Sequence, residues 1–173
     1  MTKARYIYDQ IAVIATDVAT KTGISLYYQY GDPKEIITNL KAMTIDPEQT
    51  NQKYPMLALF TDIEEKRGEQ SSIEARVELN MILATLTQPT LIAPERMELN
   101  FKTTLYPLYY QLLKSISASG YFTENAWQRL SHQKIDRLYW GRHGLITDNG
   151  NVFGDYIDAI EITNLKLSIK TQC

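Results

Sequence analysis

The chain has 173 residues, 44% hydrophobic and 22% charged, with 18 basic against 20 acidic side chains and a net charge of −2. That length fits one domain and buries roughly 70% of its unfolded surface, and the near-neutral balance excludes a partner chosen by bulk charge. The single cysteine, Cys173, excludes an intrachain disulfide and a cysteine-based metal site.

Residues 1–20 alternate charged and apolar groups and lack the unbroken apolar core of a secretory leader, so none is expected. No run approaches the roughly 20 apolar residues that cross a bilayer. Ile7, Ile11, Ile14, Ala15, Val18 and Ala19 fall on one helical face, and Gly23 supplies the stop, which predicts an amphipathic N-terminal helix. Residues 24–30 are rich in β-branched and aromatic side chains and predict a strand ending at Gly31. Asp32, Pro33 and Glu35 have the positions of an N-cap, a first-turn proline and the acid of a capping box, so a helix is expected over 33–43. Residues 44–53 show no periodicity and read as a surface loop.

Tyr54-Pro55 opens an apolar run, 56–60, with the length of a buried strand. From Ile73 the residues Ala75, Val77, Leu79, Met81 and Leu83 alternate with Glu74, Arg76, Glu78 and Asn80, the pattern of a strand with one face on the core and one in water. Glu64, Glu65, Lys66, Arg67 and Glu69 lie between the two runs, with a turn glycine at 68, and predict a hairpin with a charged tip. Met97, Phe101, Leu105, Leu108, Leu112 and Ile116 form a single apolar stripe over 94–119. Pro107 removes a backbone donor and clashes with the carbonyl four residues earlier, so a kink is expected near Thr103; the alternative is two helices broken at 100–104. Residues 121–151 are irregular. Residues 157–169 predict a strand whose apolar phase shifts from Ile160 and Ile162 to Leu165, Leu167 and Ile169, which a β-bulge near Thr163 and Asn164 would reconcile. The expected fold is α+β, a mainly antiparallel sheet of four or five strands packed against the N-terminal helix and a long Pro-kinked helix.

Candidate chemistry is sparse. Asp155, Asp158 and Glu161 have a spacing that would gather carboxylates around a cation on a helix, but in a strand the set divides between faces. His132 and His143 lie in the irregular region with no nucleophile motif beside them. Arg129, Lys134, Arg137 and Arg142 outnumber Asp136 and interleave with Trp127, Tyr139 and Trp140, the composition of a single-strand nucleic-acid binder over 127–143. The same residues also fit a protein interface. Twelve tyrosines point the same way, since Tyr joins a flat apolar face to a hydrogen-bonding tip, although most can simply rim the core. Of Tyr27, Tyr28 and Tyr30, at least one must meet solvent or a neighbour.

The order of these elements, with Tyr54-Pro55-Met56-Leu57-Ala58-Leu59-Phe60, the strand over 73–83, Leu105-Tyr106-Pro107-Leu108, Ser117-Ala118-Ser119-Gly120-Tyr121 and the closing strand, resembles the tail terminator proteins of long-tailed bacteriophages and prophages. This is the tail completion family of the lambda minor tail protein U. The resemblance implies a homo-oligomeric, hexameric ring in one domain spanning 1–173, with insertions at 31–53 and 121–151. Such a ring caps the tail tube, stops its polymerisation and offers the head and neck a docking surface. It implies three partners: copies of the chain, the tail tube protein and a head/neck connector protein. DNA would only pass through the channel. No enzyme activity, cofactor, metal or membrane is implied, and the location is the tail-to-head junction of the virion, with the host cytoplasm during assembly. The hairpin tip, Glu64, Glu65, Lys66, Arg67 and Glu69, is then the first interface candidate, directed toward the lumen. Tyr139, Trp140 and Arg142 are the second.

Overall fold

The apolar face read at the N-terminus becomes α1 (Ile7–Thr22), whose Ile11, Ile14, Ala15 and Val18 are buried. Gly23 ends it at φ 69°, with its N–H donating to the Ala19 carbonyl at 2.9 Å, a left-handed turn that a side chain would strain. The computed structural model that provides these coordinates describes residues 6–46, 48–67, 74–138 and 154–170. β1 (Tyr27–Gly31) follows, and then α2 (Pro33–Ile45), with the expected capping box: Asp32 accepts from the Lys34 N–H at 2.8 Å and Glu35 accepts from the Asp32 N–H at 3.1 Å. Gly31 has no side chain for a simple reason, since a Cβ there would stand 3.0 Å from the capping carboxylate of Glu35.

β2 (Met56–Phe60), β3 (Glu65–Arg67), β4 (Glu74–Leu86), β5 (Gln133–Arg137) and β6 (Ile157–Lys170) complete the sheet, whose main path runs β1-β2-β4-β6-β5 with β3 beside the first half of β4. The α+β class and the antiparallel majority are as expected. The path has five strands, the short hairpin arm β3 adds a sixth, and β1 pairs with β2 in parallel. β5 is the strand that periodicity misses. Its residues, Gln133 to Arg137, are polar on both faces except Ile135, so no apolar alternation marks it.

The two faces of the sheet differ along β4. On one face Val77, Leu79, Met81 and Leu83 pack with Leu57, Leu59, Ile160, Ile162, Leu165 and Leu167 against α1 and the long helical element. On the other, Arg76, Glu78 and Asn80 are exposed, whereas Ile82 and Ala84 join Met56, Ala58, Ile157 and Ala159 beneath Ile36, Ile37, Leu40 and Met43 of α2. The outward side chains of β4 thus decide where α2 sits: it covers the half of the face that is apolar and leaves the polar half bare.

The phase change in β6 is a bulge at the expected place. Leu79 faces Leu165 and Met81 faces Ile162, so Asn80 alone stands opposite Thr163 and Asn164. Asn164 takes φ 54°, and its N–H donates to the Asn80 Oδ1 at 2.9 Å. Asparagine suits this turn because its short polar side chain lowers the cost of the left-handed region. Without the extra residue, Leu165, Leu167 and Ile169 would point into water.

The long helical element runs through α3 (Ala93–Arg96), a π-helical stretch (Met97–Leu105) and α4 (Tyr106–Ala118). It is continuous, not broken at 100–104. The disturbance expected from Pro107 takes the form of a register change: the Tyr106 N–H donates to Phe101 five residues back, and the Thr103 hydroxyl donates to the Glu98 carbonyl at 2.7 Å. A wider turn just before a proline relieves the clash that its ring would make in a regular helix. Phe101, Leu105, Leu108, Leu112 and Ile116 are fully buried, as the stripe predicts.

Candidate interface

The hairpin arm grows out of the polar half of the sheet. β3 pairs antiparallel with the start of β4, with Glu65 opposite Val77, Lys66 opposite Arg76 and Arg67 opposite Ala75. All three β3 side chains are exposed. Within the arm each cation meets an acid two residues before it: Lys66 Nζ lies 3.7 Å from Glu64 Oε1, and Arg67 Nε donates to Glu65 Oε1 at 3.0 Å. The four described candidates of the tip are therefore neutral as a set. Glu69 lies outside the described residues. Lys66 faces Arg76 across the ladder, a like-charge placement that destabilises a strand pair and that the Glu64 carboxylate offsets.

Tyr139, Trp140 and Arg142, the second candidate, fall outside the described residues, as does His143. What precedes them is an aromatic and ionic cluster between α4, a short turn (Trp127–Arg129) and β5. Tyr106 donates to Asp136 Oδ2 at 2.7 Å, and Lys134 donates to Asp136 Oδ1 at 2.5 Å. Lys134 Nζ also stands 4.7 Å from the centroid of Tyr106 and 5.5 Å from that of Tyr109, while Lys114 Nζ stands 5.4 Å from that of Trp127. Arg137 is held by Glu161 at 2.8 Å. A nucleic-acid binder needs free cations for phosphates and free ring faces for bases. Here Lys134 and Arg137 already have carboxylates, and Tyr106, Tyr109 and Trp127 already carry lysines.

Burial and the Asp136 contact push the Tyr106 hydroxyl up to about 12. Tyr109 is raised too, chiefly by burial. Its hydroxyl lies 2.6 Å from His132 Nε2, and His132 Nδ1 lies 2.8 Å from the Leu130 carbonyl. A carbonyl only accepts, so Nδ1 carries the proton and Nε2 accepts from Tyr109.

The three acids of the C-terminal region stand apart, each in its own structural contact. Asp158 is fully buried on the helical face of β6, where Arg96 grips it through Nε at 3.0 Å and Nη2 at 2.5 Å, and Asn100 of the π-helical stretch donates to it at 2.6 Å. Asn100 donates to the Thr87 hydroxyl as well, at 2.8 Å. Asp155 accepts from Lys53 at 2.7 Å and from Tyr54 at 3.0 Å, and Lys53 also donates to Thr44 at 2.5 Å. Glu161 faces the other side with Arg137. Residues 48–52 are turn and mostly exposed, as a surface loop should be, but α2 extends to Ile45 and Lys53 is buried at the loop's far end. Among the described residues no group of three or more His, Cys, Asp or Glu is placed to hold a metal ion, and no helix is long and apolar enough to cross a membrane.

The β1 tyrosines separate by face. Tyr27 accepts from Asn39 at 3.0 Å, and Tyr28 donates to the Tyr8 carbonyl at 3.0 Å, with burial raising its hydroxyl far above the ordinary range. Tyr30 is 55% exposed and stacks on Tyr8 with centroids 4.6 Å apart. It is the solvent-facing tyrosine that the strand requires. Comparison with protein-family models gives no match for this chain, and comparison with curated proteins gives none either.

Proposed function

We propose that this chain is a structural virion protein of the tail-terminator kind, a homo-oligomeric ring, hexameric in the resemblance, that caps the tail tube and receives the head/neck connector. Its work is contact between proteins, with DNA only passing through the channel. The observation that carries this reading is the hairpin arm: three exposed β3 side chains whose charges are matched within the arm, at the bare, polar half of the sheet. Matched charges fix the register of a protein contact and let DNA slide past without retention.

The fate of the other ionic groups supports the same reading. Asp155, Asp158, Glu161 and His132 are each spent on a structural hydrogen bond or ion pair. The rival reading, a single-strand nucleic-acid binder over 127–143, retains Arg129 as an exposed cation with no ion-pair partner among the described residues. Tail tube protein polymerised with and without the chain separates the two. A terminator yields tubes of arrested length with the chain at one end by immuno-electron microscopy, and negligible shift of a labelled oligonucleotide. Tubes that lengthen regardless, together with an oligonucleotide shift that weakens as salt rises, would overturn the proposal in favour of its rival.

A further inference from the structure

We propose that the open edge of β1 is the seat on which a second copy of this chain docks by adding a strand; this deepens the ring reading and rests on it. The main-chain directions follow from two hydrogen bonds. The Tyr27 N–H donates to the Pro55 carbonyl at 2.9 Å, and the Thr61 N–H donates to the Gly31 carbonyl at 3.1 Å. In a parallel ladder alternate residues turn both polar groups to the same neighbour, so Tyr27, Gln29 and Gly31 face β2, and the N–H and C=O of Tyr28 and Tyr30 face away from it. β1 ends the strand path, and among the described residues no main-chain hydrogen bond reaches Tyr28 or Tyr30 from that side.

Proteins that leave an edge exposed usually blunt it with lysine, proline or a bulge. β1 reads Tyr-Tyr-Gln-Tyr-Gly in unbroken register and has none of these. Beside it the stacked rings of Tyr8 and Tyr30 form an apolar wall, with Tyr30 largely exposed. Unpaired main-chain groups at strand spacing beside an aromatic wall are the recognition elements of strand addition.

The occupant is argued from the sheet itself. Its described path has two different ends, β1 and β5, so one copy can offer β5 to the β1 of the next. That contact is heterologous, and repeated by rotation it closes a ring.

The test uses the full chain over a concentration series, with mass from light scattering and amide hydrogen exchange read at Tyr28 and Tyr30. Assembly should slow exchange of these two amides roughly tenfold or more. Tyr30→Pro removes an N–H that the β1–β2 ladder does not use, so it should yield a folded monomer. Tyr30→Glu keeps the main chain and replaces the exposed ring of the aromatic wall with a charge; it should weaken assembly, and it decides the matter if the proline variant does not fold. If the chain assembles while both amides exchange freely, or if Tyr30→Glu assembles like the wild type, the β1 seat is wrong and the ring reading stands. A wild-type chain that stays monomeric at every concentration, alone and with tail tubes, overturns both. Protection that arises only on adding the tail tube protein overturns the second copy as occupant.

Discussion

Arg96 with Asp158 and Lys66 with Glu64 are both cation–carboxylate pairs, yet they lie at opposite limits of solvent access. The first pair has no exposed side-chain surface and is tied to Asn100 and Thr87, where the π-helical stretch crosses β6. In the second, on the hairpin arm, the side chains are 67% and 74% exposed, and among the described residues no ion pair ties them to anything beyond the arm. Water screens the arm's charges, so their loss costs the fold little, and they are available to a partner. No water reaches Asp158, so each of its lone pairs needs a protein donor, and the pair fixes the path of a helix instead of contacting anything outside. The difference shows that where this chain keeps its charges, and not how many it has, separates the pairs that hold the fold from those left in water.

The largest effect should come from breaking the buried pair on one side. Asp158→Ala strands the Arg96 guanidinium in the core and leaves the half-buried Asn100 amide with Thr87 alone, and is expected to cost about 3–5 kcal/mol in urea unfolding. Replacing both partners together, Arg96→Met with Asp158→Leu, should recover most of that loss, because desolvated pairs are often no better than apolar packing of similar volume. A double variant as unstable as the single one would mean that the Asn100 contact, and not the ion pair, holds the π-helical stretch.

An intermediate case sharpens the comparison. The Asp155 side chain is 19% exposed, and that of its partner Lys53 is 3% exposed. Asp155→Ala should cost about 1–3 kcal/mol, less than Asp158→Ala, because Thr44 still receives the lysine and water reaches the site. Equal losses at the two positions would remove burial as the deciding variable.

A backbone position comes next. At the β6 bulge Asn164→Val places a β-branched residue at φ 54° and should cost about 1–2 kcal/mol, whereas Asn164→Gly should be close to neutral. Denaturation midpoints of the two variants test this directly.

Alkaline titration probes the aromatic cluster beside β5. The Tyr106 hydroxyl is pushed up to about 12, first by burial and then by Asp136, above its ordinary value of 10.0. Its folded value exceeds its unfolded one, so its contribution to stability is whole below pH 10 and is lost as pH rises through about 12. An ultraviolet absorbance titration of Tyr106→Phe should therefore lack one tyrosine from the late step and none from the ordinary one.

Much of the frame was legible because it is written in periodicity. The stripe of the long helix, the alternation of β4, the capping box at Asp32 and the phase slip at Asn164 all follow from spacing, and each stands where spacing puts it. What spacing could not reveal depends on residues far apart in the chain. Lys53 reads as one more lysine in a polar stretch until Asp155, 102 residues later, is brought to it. Arg96 and Asp158 are likewise joined only by the crossing of a helix and a strand. β5 lacked a signal for a different reason: its inward residues, Lys134 and Asp136, are polar and half-buried, paired with each other beneath Tyr106. The basic and aromatic composition of 127–143 is real as sequence, but composition does not show that the cations and rings already hold one another.

The smallest effect on the fold should come from the arm, and there the comparison turns into a functional test. Lys66→Ala with Arg67→Ala removes two pairs whose cations are 67% and 72% exposed, and should change unfolding free energy by less than about 0.5 kcal/mol. If the arm is a contact surface, the same variant should fail to arrest tail tubes although it folds as well as the wild type. Charge reversal of both residues to glutamate takes the stretch 64–67 from neutral to −4 and should impair capping further, in a manner that salt partly rescues. Were these variants to lose stability instead of capping, the arm would be a structural brace, and its exposed pairs would resemble the buried one in role as well as in chemistry.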